Sequence, residues 1–183
     1  IAATQININT WNAQSILLQG AFDVTSTSPT EKITAIQKDN CSDFWLLTVV
    51  QEKTAITGGV GRGILRIFEI TSSGIQHYSD TSLDETVRDL GYLKASSDSK
   101  KIAFANWVAH TIILLDFDVV TGSINLITKQ VISITTVPIS LTNPQPNSQH
   151  SRCVYGIEFS PDNQFLYFTV ISNASYVTGN KGR

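Results

Sequence analysis

Three histidines, two cysteines and a scatter of carboxylates are the side chains here that could move protons or hold a metal. His77, His110 and His150 stand far apart, each without a second ligand at zinc spacing. Cys41 and Cys153 form no C-x-x-C pair. Two small buried hydrophobes is the simpler reading of them, and a mutual disulfide is the alternative. Serines and aspartates are plentiful, but no G-x-S-x-G elbow offers a nucleophile. "DFDVVTG" supplies Asp116 and Asp118 and then departs from a D-x-D-x-D-G calcium loop, so these carboxylates are expected to shape a hairpin. "GGVGRG" (58–63) precedes the strand-like "ILRIFEI", whereas a phosphate loop follows a strand and opens a helix. It reads as a link between strands. No catalytic residue, metal ligand or cofactor is assigned.

The elements that would position any site are β-strands. The 183 residues suffice for one domain with a sizeable core. Thr, Ser, Ile and Val are abundant, and β-branched side chains fit a pleated surface better than a helix. With 13 basic and 15 acidic residues the net charge is −2, and charged residues are 15% of the chain. That balance argues against a nucleic-acid partner. No apolar run is long enough for a transmembrane helix, so no membrane insertion is expected, and no signal peptide is visible. The chain starts at Ile1 and holds no Met, which reads as a piece of a longer protein.

Two stretches repeat. "VYGIEFSPDNQFLYFTV" (154–170) aligns with "GYLKASSDSKKIAFANW" (91–107) at an offset of 64 residues, placing Ser160 on Ser96, Asp162 on Asp98 and Phe168 on Phe104. "KITAIQKDNCSDFWLLTV" (32–49) is a weaker copy. It aligns Asp39 with Asp98 at an offset of 59 and needs one extra residue before "FWLL". Between these copies, "RIFEITSSGIQHY" and "LLDFDVVTGSINLI" each read strand, polar turn, strand, with Gly74 and Gly122 closing the turns. Four strands per unit result: 32–37, 44–50, 64–70 and 75–79, then 91–96, 102–107, 111–118 and 123–134.

"FLYFTVI" and "TIILLDF" are apolar on both sides rather than alternating, as strands covered on both faces are. Four-stranded sheets covered on both faces and repeated at this period are expected to be β-propeller blades. The expected fold class is all-β, with blades of four antiparallel strands in an incomplete ring. By residue number, 1–30 gives the outer strands of a preceding blade, 31–90 and 91–134 are blades, 135–152 is an exposed Pro-containing connector, and 153–183 begins a further blade.

"GIEFSPDNQFLY" resembles the "FSPDG-x-x-LY" hairpin of WD-like and YVTN-type propellers. In order, "EKITAIQ…DFWLLT", "GYLKASSDSKKIAFAN", "LLDFDVVTGSI" and "YGIEFSPDNQFLYFT" are similar to the bacterial propellers associated with gliding motility and type IX secretion in Bacteroidota. Ser97 replaces the usual Pro, and Ser99 and Asn163 replace the usual turn Gly. The resemblance implies a large protein, extracellular or at the cell surface, whose propeller is a binding scaffold, with the remaining blades on the same polypeptide. It does not by itself imply an enzyme.

In such a ring the links between second and third strands share one end with the connectors between blades, and loops carry function on rigid scaffolds. Arg62, Trp107, His110, His150 and Arg152 are therefore the candidate binding residues. The expected function is a non-enzymatic scaffold presenting loops to a protein or glycan partner. A structural module of a larger secreted machine differs only in its partner. The other class is a propeller hydrolase resembling lactonases, which would need His or acidic groups clustered at the channel.

Overall fold

The computed structural model describes residues 2–7, 12–17, 27–52, 61–134 and 151–173. All regular structure among them is β. Strands β1 (Ala2–Asn7) and β2 (Asn12–Leu17) pair as one antiparallel sheet. β3 (Thr27–Gln37), β4 (Phe44–Glu52), β5 (Gly61–Thr71) and β6 (Gly74–Val87) form a first four-stranded sheet in chain order. β7 (Leu93–Ala95), β8 (Lys101–Asn106), β9 (Thr111–Asp118) and β10 (Ser123–Ser133) form a second. β11 (Ser151–Phe159) and β12 (Leu166–Asn173) form a two-stranded sheet. Every pairing is antiparallel.

The two four-stranded sheets and the β11–β12 sheet stack face to face, and strand alternation explains why. On β8, Ile102 and Phe104 point to the first sheet and meet Trp45, Leu47 and Leu65. Ala103 and Ala105, one residue out of phase, point the other way and meet Val154 and Ile157. All four β8 side chains are fully buried, so a run without polar alternation is what this strand requires. Each large aliphatic or aromatic side chain so buried contributes about 1.5–3 kcal/mol. Outward from β12 the pattern fails. Tyr167 matches Ala103 by the 64-residue offset, yet it is 62% exposed where Ala103 is 0%. The double-sided burial expected of "FLYFTVI" is thus one-sided, because no further sheet lies on that face among the described residues. They form an open stack and no closed ring.

The repeat extends to individual hydrogen bonds. In the β7–β8 turn the Ser96 hydroxyl donates to Asp98 Oδ1 at 2.6 Å, Lys101 N–H donates to Ser96 Oγ, and Ser99 N–H donates to the Ser96 carbonyl. In the β11–β12 turn Ser160, Asp162, Phe165 and Asn163 make the same three bonds. The hydroxyl beside each carboxylate holds Asp98 and Asp162 below the usual carboxylate range. In the first sheet Asn40, not Asp39, plays this part, accepting from Ser42 and Asp43 N–H. The copies therefore align without a gap at an offset of 58, and the extra residue is not needed. The side-chain amide oxygen replaces the carboxylate, which hid the match.

Ser99 and Asn163 both sit at positive φ, 60° and 58°. Serine tolerates this region worse than asparagine or glycine. Ser99→Gly should therefore stabilise the protein by about 0.5–1 kcal/mol, and Asn163→Gly by less. Thermal unfolding of the two variants checks this; equal effects would mean that backbone strain does not govern the turn.

Several expected boundaries move. β3 starts at Thr27 rather than near 32, and β11 starts at Ser151, so Arg152 belongs to a strand rather than the connector. Residues 135–150 lie outside the described residues. Gly61–Gly63, read as a link, open β5. They are glycines because of close approach: a Cβ on Gly61 would meet the Glu52 carbonyl oxygen at 2.0 Å, and one on Gly63 would meet Val87 at 2.8 Å. β6 runs to Val87, past the expected 79. The pairing steps from Arg62↔Thr86 to Ile64↔Ser82, so β6 carries two extra residues in a bulge around Asp84, itself at φ 53°, and because that number is even Leu83 and Val87 stay on the same buried face.

A candidate aromatic and acidic binding surface

Antiparallel order puts the end of β4, the start of β5, residues 88–92 before β7, the β8–β9 turn (107–110) and the start of β11 at one end of the stack. Gly91 shapes this end. Its φ of 112° and its approach to Ala105, whose carbonyl oxygen a Cβ would meet at 2.9 Å, require glycine. The turn lets Tyr92 bridge two sheets: its N–H donates to the Tyr155 carbonyl and its own carbonyl accepts from Ala105 N–H, both at 2.9 Å.

An aromatic group follows from that bridge. The Tyr92 and Tyr155 rings lie 5.3 Å apart, and Trp107 meets Tyr155 edge-on at 6.2 Å and 88°. Tyr155 Oη donates to Glu31 Oε2 at 3.0 Å, across from β11 to β3, and this bond pushes the Tyr155 pKa up. Gly91 N–H approaches the same oxygen at 3.5 Å. Tyr92 is 44% exposed, and Glu31 is exposed. Further along the same strands, Lys94 pairs with Glu158 at 2.8 Å. An open groove of about 270 Å³ runs between Tyr92 and Tyr167, floored by Gly156 and Thr169. The surface thus offers flat ring faces beside carboxylates, able to stack on a ring or an aliphatic stem and to accept hydrogen bonds.

The five expected site residues separate. Trp107 joins the aromatic group. His110, at φ 55° in the same turn, has Nδ1 3.6 Å from the buried Cys153 sulfur. Burial raises the Cys153 pKa, so the thiol stays protonated and the contact is a weak thiol–imidazole hydrogen bond rather than a nucleophile pair. Cys41, exposed, and Cys153, buried, are not joined in a disulfide. Arg62 is occupied by the exposed Asp84, whose hydrogen bond raises the guanidinium pKa further. Arg152 pairs its backbone with Ser172. His150 lies outside the described residues.

Sequence reasoning missed Tyr92, Tyr155 and Glu31. A signal existed: at the 64-residue offset, Gly91–Tyr92 aligns with Tyr155–Gly156, a swapped Gly-Tyr pair at the same place in two repeats. Asp116 and Asp118 are engaged as expected. Lys101 bonds Asp116, and Asp118 accepts from Val120 N–H, Thr121 N–H and the Thr121 hydroxyl. Among the described residues no group of three or more His, Cys, Asp or Glu side chains is placed to hold a metal ion. Compared with known proteins, the chain matches no family model and no curated protein.

Proposed function

We propose that the chain is part of a WD-like β-propeller, its four-stranded sheets being blades, and that it works as a non-enzymatic scaffold whose rim binds a protein or glycan partner. The observation that carries this reading is the Tyr92–Tyr155–Trp107 group beside Glu31, held by three successive sheets. Stacked sheets fix the rings while leaving one of them open to solvent, so little ordering is needed on binding. Aromatic side chains in such a place dominate affinity at interfaces. On the resemblance to secretion-associated propellers, the partner is met outside the cell or at its surface.

A panel of neutral and charged oligosaccharides and of peptides, titrated calorimetrically against the chain, tests the proposal. Tyr92→Ala and Trp107→Ala should each weaken any binding by about tenfold or more. Ser123→Ala, at the opposite end of the sheets, should leave it unchanged. Binding that ignores both aromatic variants, or turnover of a lactone instead of binding, would overturn the reading.

A further inference from the structure

The apolar layer between the first and second sheets is interrupted near one end by two polar side chains. Asn106, the last residue of β8, and Thr111, the first of β9, are direct cross-strand partners and so share a face. That face is turned to the first sheet. Asn106 Nδ2 donates to the Thr86 carbonyl of β6 at 3.0 Å, and Ile113, two residues along β9 from Thr111, packs in the core between the two sheets. We propose that a single buried water molecule is bound between Asn106 Oδ1 and the Thr111 hydroxyl, as a fixed part of the fold beneath the turn that carries Trp107. Only the first two sheets take part, whatever completes the stack elsewhere.

Burial is what demands an occupant. Asn106 is 0% exposed and Thr111 7%, yet neither Asn106 Oδ1 nor Thr111 Oγ1 has a hydrogen-bond partner among the described residues. Turning the amide round is no remedy, because its NH2 end must face the Thr86 carbonyl. Two orphaned polar atoms on one buried face would each forfeit a hydrogen bond that the unfolded chain makes with solvent. Their chemistry suits one water: Oδ1 accepts, and the hydroxyl gives or accepts. Cross-strand partners have Cβ atoms about 4.5–5.5 Å apart, close enough for one molecule to reach both side chains. The Thr86 carbonyl, beside the same amide, has a second lone pair for a third contact. Internal waters use two to four such partners.

The place of the pair in the chain says what the water does. Asn106 and Thr111 close the turn 107–110, with Trp107 and His110 as their chain neighbours. Thr111 also pairs with Ser133 of β10, and Asn106 reaches β6. A water between them therefore links the second sheet to the first directly under the turn. Apolar contacts are non-directional, whereas a bridging water imposes distance and direction. The base of the Trp107 turn is thus set against the first sheet by hydrogen bonds as well as by packing.

Oxygen-17 relaxation dispersion of the water signal counts water molecules held inside a protein, and urea unfolding reads what they contribute; both use the 183-residue chain. Thr111→Val keeps the shape of the side chain and removes the hydroxyl. It should raise the unfolding equilibrium constant about tenfold and lower the count of long-lived waters by one. Thr111→Ser, which keeps the hydroxyl, should hold the wild-type count. An unfolding constant unchanged or lowered by Thr111→Val would overturn the proposal, because removing an unpartnered buried hydroxyl relieves the fold. A raised constant with an unchanged count would also overturn it, since the hydroxyl would then bond protein directly. A wild type without any long-lived water sinks it before a variant is made.

Discussion

Phe104→Ala is expected to lower the unfolding free energy by about 3–5 kcal/mol, and Phe168→Ala by about half as much. The two residues hold the same place in successive repeats, one strand after the same Ser-Asp turn, and each points back at the preceding sheet. They differ in cover. Phe104 is fully buried between the first and second sheets, with Ile113 and Leu115 of β9 beside it. Phe168 has the second sheet in front but no described strand beyond β12. An empty site at 104 leaves a cavity that rigid sheets cannot close, whereas one at 168 is open to water on one side and collapses or fills. Urea unfolding of both variants at the same protein concentration measures the difference. Equal losses would mean that the β11–β12 sheet is as enclosed as the second sheet, and the open-stack picture would fail.

What the sequence disclosed, and what it withheld, follows from how many residues state a feature. The sheets were legible because apolar runs, turns and offsets repeat: "SSDS" and "SPDN" predict the same turn, and the structure makes the same bonds in both. Stacking was legible from β9, where "TIILLDF" is apolar on both sides and Ile112 and Ile113 are buried on opposite faces. The β6 bulge was not, since two extra residues around Asp84 leave the two-residue period in phase and no glycine marks them. The binding surface was half legible. Trp107 lies in a turn that loop reasoning reaches, but Glu31, Tyr92 and Tyr155 come from strand starts 124 residues apart at the extreme, joined only by the stacking. Gly122 shows the same limit. Its turn role at φ 66° is readable, but its contact with Trp45, which a Cβ would meet at 2.8 Å, is not.

Lys32 is the residue the sequence pattern misplaces most. In "EKITAIQ" it reads as an outward-facing polar position, yet it is among the largest fully buried side chains. Its ammonium donates to the carbonyls of Arg88 (2.8 Å) and Leu90, tying β3 to the segment that leads into β7. Asp89 and Glu31 lie close enough to favour its charge, but desolvation dominates and lowers its pKa from 10.5 to about 8. The connection between the first and second sheets, and with it the placement of Gly91 and Tyr92, therefore hangs on a lysine that folding makes easier to deprotonate. The neutral amine still has two N–H bonds to give, enough for both carbonyls.

The sign of the pH effect follows. Between pH 8 and 10.5 the unfolded chain holds the Lys32 proton and the folded chain does not, so stability from this group rises with pH across that window. From pH 7 to pH 10 the gain is about 2.5 kcal/mol. Cys153 and Tyr155 have raised pKa values and act in the opposite sense as pH climbs, which makes the wild-type curve alone ambiguous. Lys32→Met resolves it, since Met fills the same channel without a charge or a donor. At pH 7 the variant loses two hydrogen bonds but also the cost of burying an ion, so its deficit should be small, about 1 kcal/mol. At pH 10 the wild type no longer buries the ion and keeps its bonds, and the gap should widen by about 2–3 kcal/mol. Urea midpoints of wild type and Lys32→Met at the two pH values give the gap directly. A constant gap would show that Lys32 keeps an ordinary pKa in the fold, and that its ammonium is hydrated rather than enclosed by the 88–90 carbonyls.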